Sequence, residues 1–228
     1  MNIHNNQSST FNHIEQAQKK REEESEKLSS GLKINQAADD AAGLLISDRL
    51  TSQINELDQR ANNSRDQVNL NDISTAQLSS ITSSLQRANE LAVQSGNPLY
   101  NNSAIQGELD QITGEVNAIA EQVLGESNFI DTLDASDPTS SLAAIETALA
   151  STNEQASALG AQSNSLSSQI STYEVTSINS SDARSRIQDT DYASSTSEQQ
   201  KNEILLQASL ITKNIEEERK GLLINQLI

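Results

Sequence analysis

Cysteine is absent from this chain of 228 residues, which removes disulfides, thiolate chemistry and cysteine-ligated metals together and leaves the redox compartment open. Aromatics are nearly absent as well. With two Phe, three Tyr and no Trp, the chain lacks the bulky side chains that dominate compact interiors, so a single globular core is not expected. Positive charge is scarce: 15 Lys and Arg stand against 32 Asp and Glu, and the net charge of −17 repels nucleic-acid phosphates and anionic lipid headgroups. Neither nucleic acid nor membrane is expected as a partner. Nothing approaches the roughly 18 consecutive apolar residues of a membrane span, and the first 30 residues hold no apolar core of signal-peptide length. Secretion would need a route without a cleaved signal peptide. The two histidines, His4 and His13, sit in a polar leading segment without a carboxylate cluster, so no metal site is expected. There is no glycine-rich phosphate loop and no cofactor motif, and an enzyme is not expected.

What remains is rich in Ser, Asn, Gln, Ala, Leu and Ile, with 34% apolar residues against about 45–50% in ordinary globular domains. Long helices packed along narrow seams have this composition, because each turn buries only one or two apolar positions. Residues 1–10 are polar and expected to be mobile before a partner is present. A polar helix follows through Ile14 and Ala17 to Leu28, and Gly31 is a plausible stop. Asp39 and Asp40 then cap a second helix expected to reach about Ser95. Leu57, Ala61, Val68, Leu78, Leu85 and Ala92 share one stripe of it, with Leu70, Ile73, Ile81, Ala88 and Leu91 beside them, wide enough to face two neighbours. Gly96-Asn97-Pro98 breaks the pattern, and Ser103 with Gln106 reads as a capping box. Ile105, Leu109, Ile112, Val116, Ile119 and Val123 then form a heptad seam. Gly125 to Thr139 reads as a turn or short hairpin. From Leu142 through Ile145, Leu149, Thr152, Ala156, Leu159, Ser163, Leu166 and Ile170 to Tyr173, spacings of three and four predict a helix of 30 residues or more. The fold class is therefore mainly α, with long antiparallel helices in a coiled-coil bundle and at most a short hairpin or turn near 125–140.

Near the carboxy terminus Ile204, Ala208, Ile211, Ile215 and Leu222 continue a helical stripe. A terminal helix of this kind cannot stabilise itself, since nucleation is costly and its apolar face is left in water, so these residues point to assembly. Repeated contacts that do not close into a ring generate a filament. The carboxylates Asp39, Asp40, Asp189 and Asp191 read as caps and turn formers rather than acid–base pairs, and Arg184 and Arg186 as salt-bridge donors. Two charge blocks, Lys19–Lys27 (KKREEESEK) and Glu216–Lys220 (EEERK), are candidates for mutual pairing, Lys19, Lys20 and Arg21 meeting Glu216, Glu217 and Glu218 within or between chains.

Leu28–Leu50 (LSSGLKINQAADDAAGLLISDRL) resembles the amino-terminal hallmark of bacterial flagellins, Ala183–Ala193 (ARSRIQDTDYA) resembles their carboxy-terminal hallmark, and Gln86–Gln94 (QRANELAVQ) continues the likeness. The resemblance implies that the two ends fold against each other and line the inner tube of a filament. Residues 1–38 would form the amino-terminal inner-tube helix and linker, 39–180 a helical rod with its turn at 125–139, and 181–228 the second linker and carboxy-terminal inner-tube helix. Leu28, Leu32 and Ile34, with the carboxy-terminal stripe, Arg184 and Arg186, would then carry self-assembly. It further implies an extracellular homopolymer on the bacterial flagellum, with the filament cap, the hook-associated junction proteins and a secretion chaperone for the carboxy-terminal helices as partners. In flagellins that a Toll-like innate receptor recognises, the contact falls on residues matching Arg87, Leu91 and Glu108. The variable domain that flagellins often insert between the helical arms is nearly missing, which implies a slim filament. A hook–filament junction protein, or an intracellular coiled-coil adaptor, is the alternative.

Overall fold

The computed structural model describes the backbone of residues 4–225 and the side chains of residues 11–219. Among the described residues there are five helices and no strand pairing beyond one isolated bridge: α1 (His4–Ser30), α2 (Ala37–Ser95), α3 (Asn102–Leu124), α4 (Pro138–Gln188) and α5 (Tyr192–Asn225). The leading segment, expected to lack order, is helical from His4 onward, since extending a helix adds one hydrogen bond per residue fixed; residues 1–3 lie outside the described residues. Two compact units form. Leu57–Thr176 makes one, and the described residues up to Glu56 together with those from Ser177 make the other.

Within the 57–176 unit, α2 and α4 run antiparallel: Gly96 lies beside Pro138, Asn71 Nδ2 donates to Ser163 Oγ at 3.2 Å, and Arg65 pairs with Glu174. Both stripes of α2 are used. Leu78, Leu85 and Ala92 of one and Ile81, Ala88 and Leu91 of the other join Ile105, Leu109, Ile112 and Val116 of α3 in a single core that Ile145 and Ala148 of α4 complete. Asn71 is buried in the α2–α4 seam and also accepts from Gln67, so a slipped register would leave a buried amide unpaired.

The helix ends follow local chemistry. Gly31 and Gly125 take φ +74°, and their amides donate to Lys27 O and Glu121 O, closing α1 and α3. Asp40 sits in extended backbone at the true start of the long helix, its Oδ1 accepting from Ala42 and Gly43. The cap of α3 differs from the expected box: Asn101, not Ser103, is the capping residue, its side chain accepting from Ser103 N at 3.0 Å. Gln106 is freed for another task. Its side chain accepts from Ala135 N and donates to Leu133 O, while Asn117 exchanges both bonds with Ile130. The segment after Gly125 holds turns at 127–128 and 135–136, as expected, and no hairpin; it is laid back along α3, placing Ile130, Leu133 and Ala135 in the core.

Candidate assembly surfaces

The terminal unit is poorly filled. α1 and α5 run antiparallel, Phe11 receiving Lys213 Nζ at 4.7 Å over its ring, yet among the described residues their shared apolar core is Ile14, Ala17 and Leu206. The rest of the α5 stripe faces outward: Ile204, Ile211 and Ile215 each expose half or more of their surface, and Ala208 is exposed too. Leu206, which the sequence stripe left out, is the residue that packs, because the side of α5 turned to α1 lies two positions from the one read as apolar. Leu222 lies outside the described side chains. On the amino-terminal side Ile34 is buried, while Leu28 and Leu32 are half-buried.

Two linkers are clamped together between these helices and the beginning of α2. Leu32 and Asp189 form an antiparallel bridge, with Lys33 N donating to Gln188 O at 2.6 Å and Thr190 N to Gly31 O at 2.9 Å. Ser47 Oγ donates to Gln188 Oε1, and Arg184 Nη1 to Thr51 Oγ1 at 3.3 Å, so Arg184 serves the chain internally whereas Arg186 is exposed. Gly31 is required here, because a Cβ would stand 2.9 Å from the Tyr192 hydroxyl and φ is positive.

The paired acids act as caps. Asp39 Oδ2 accepts from the Asn35 and Gln36 amides, which hold its carboxyl below the usual range, and Asp191 Oδ1 accepts from Ala193 and Ser194. Among the described residues the charge blocks do not meet within the chain. Lys19 pairs with Glu23 at 3.9 Å and Lys213 with Glu217 at 3.8 Å, each along its own helix. Register explains it: Phe11 lies opposite Lys213, and Lys20 shares a surface groove with Asn202 and Leu205, which puts the Lys19–Arg21 block about three turns from Glu216–Glu218.

In the other unit, Arg87 bonds Glu108 across α2 and α3, at 3.0 Å from Nε and 2.9 Å from Nη2, and also reaches Glu90; both carboxylates hold its guanidinium above its ordinary pKa. Leu91 does not join them at the surface, being 3% exposed and part of the core. Among the described residues no group of three metal-ligating side chains converges, and no helix is long and apolar enough to cross a membrane.

The fold and these surfaces define a helical structural protein whose last helix carries an apolar face that the described residues leave uncovered. Residues 1–130 match the bacterial flagellin N-terminal helical region and residues 142–215 the bacterial flagellin C-terminal helical region, so the chain belongs to the bacterial flagellin family. It is 33% identical to a flagellin of Halalkalibacterium halodurans across 92% of this chain and 90% of that one. Identity to the flagellar filament 31.3 kDa core protein of Treponema maltophilum is 32%, covering 80% and 84%. A flagellin of Clostridium tyrobutyricum is 48% identical over 98 residues, which span 42% of this chain but only 26% of that longer protein.

Proposed function

We propose that this chain is a structural subunit that self-assembles into the extracellular bacterial flagellar filament, without chemistry of its own. The observation that carries the reading is the outward stripe of α5: Ile204, Ile211 and Ile215 stay in water while the opposite side of the helix packs on α1. Burying each would contribute roughly 1.5–3 kcal/mol, which offsets the entropy of ordering the termini only when further copies supply the cover. Leu28 and Leu32, half-buried, contribute to assembly on the amino-terminal side, whereas Ile34 is already buried within its own chain and supports the linker from inside. Flagellar export, a chaperone on the carboxy-terminal helices, the cap and the junction proteins come with this role. Since only a short segment joins α3 to α4, the filament is slim.

Purified chain added to filament fragments should elongate them. A junction protein would not polymerise alone, and an adaptor would stay in the cytosol rather than in sheared surface fibres; either result contradicts the reading. We propose receptor recognition through the exposed Arg87–Glu108 pair, with Leu91 supporting it from the core. A reporter-cell response to monomer that Arg87→Ala abolishes is the expected outcome, and a silent unmodified protein rules the contact out.

A further inference from the structure

We propose that the two terminal charge blocks form a salt-sensitive switch on assembly: Lys19, Lys20 and Arg21 of one copy pair with Glu216, Glu217 and Glu218 of another. This rests on the filament reading above and adds regulation by ionic strength, which apolar burial does not supply because it has neither sign nor register. Both blocks stand on continuous helix, Glu216 half-buried and the other five residues exposed. Their own chain gives them little. Lys19 reaches Glu23 at 3.9 Å with 79% of its side chain exposed, and Glu217 reaches Lys213 at 3.8 Å. Lys20, Arg21, Glu216 and Glu218 make no ion pair with any described residue.

The α1–α5 register keeps the blocks apart. Lys20 shares its groove with Asn202, Leu205 and Ser209 of α5, none of them acidic, and Glu203 is exposed without an ion pair to it. With Phe11 beneath Lys213, the acid block lies beside the α1 backbone that precedes Phe11, a stretch without Asp, Glu, Lys or Arg. The offset of about three turns is roughly 16 Å, so a neighbour displaced by that distance along the helix pair brings its acids level with the bases. A second copy is the occupant for two reasons. Three consecutive bases occur once in this chain of net −17, and the run of three acids that matches them is on the same helix pair. The blocks differ and lie apart on one unit, so their pairing repeats from copy to copy without closing, as an open polymer needs.

Two reversals test the switch without touching Lys19–Glu23 or Lys213–Glu217: Lys20→Glu with Arg21→Glu, and Glu216→Lys with Glu218→Lys. In seeded elongation at about 0.05 M sodium chloride, where the screening length is roughly 10–15 Å, each should raise the critical concentration about tenfold. The second reversal makes the chain less acidic, so general repulsion alone would lower it instead. A chain carrying both keeps the original net charge and should return to within about twofold of the unmodified value. At about 1 M salt, where screening reaches about 3 Å, the four chains should converge. An unchanged critical concentration in either reversal, no recovery on combining them, or defects that persist at high salt overturn the switch while leaving the filament reading intact. Should a reversal lower the helix content of the monomer by circular dichroism, Lys20→Gln with Arg21→Gln decides in its place: a rise at low salt alone is expected, and no rise overturns the pairing. Failure of the unmodified chain to elongate seeds at either salt removes the filament reading and this switch together.

Discussion

The two units are built from the same residue types and differ in how many helices share the burial. In the 57–176 unit three helices and a laid-back segment enclose one continuous core, from Leu78 and Leu85 through Leu109 and Val116 to Leu133 and Ile145. Among the described residues, α1 and α5 share a buried apolar cluster of three, Ile14, Ala17 and Leu206. A pair of helices encloses little, because each presents a stripe to one neighbour only, and independent stability needs more apolar surface than such a seam removes from water. Completeness inside one chain and incompleteness at its ends are what a subunit of a polymer requires.

The largest test of this contrast is truncation in each core. Leu109→Ala, at a fully buried site with helices on several sides, should cost about 2–5 kcal/mol, read as a lowered midpoint of chemical unfolding. Leu206→Ala should cost less, at most about 2 kcal/mol, and should leave the main transition in place, since two helices can close over the gap. Equal costs would erase the distinction. Gly31→Ala comes next: a left-handed conformation costs a Cβ roughly 1–2 kcal/mol, and Tyr192 must also move, so the linker clamp should loosen without change in α3. Amide exchange at Lys33 and Thr190 would report it. Thr113→Val sharpens the other side. Among the described residues the Thr113 hydroxyl is the buried side-chain polar atom without a partner, and replacing it should stabilise the larger unit by about 1 kcal/mol in the same unfolding assay.

The smallest effect is a pH dependence at the linker. Asp39 has a folded pKa depressed by the Asn35 and Gln36 amides, so its contribution is present above the unfolded value near 3.9 and is lost as pH falls through the lower folded one. Protection of those two amides should therefore drop only below about pH 4, and Asp39→Asn should flatten the profile.

Much of this was legible in the sequence because it is periodic or locally coded. Gly31, Asp40 and the break after Ser95 punctuate the chain by backbone preference alone, and the double stripe of α2 announced two neighbours before either was placed. The segment after Gly125 was not legible. Ile130, Leu133 and Ala135 have no helical or strand period, and they are held by the side chains of Gln106 and Asn117, whose position on one face of α3 was the available signal. The α1–α5 register was also hidden: a stripe tells that a helix has an apolar side, but three-dimensional pairing decided that Leu206 packs and Ile204 does not.

Hydrogen exchange on the unmodified chain, first as monomer and then in seeded filaments, tests the central claim most directly. Amides between Ile204 and Ile215 should exchange fast in the monomer and become strongly protected in the filament, while those around Leu109 and Ile145 stay protected in both. Protection of the α5 amides in the monomer equal to that of Leu109, or no gain on polymerisation, would contradict the account.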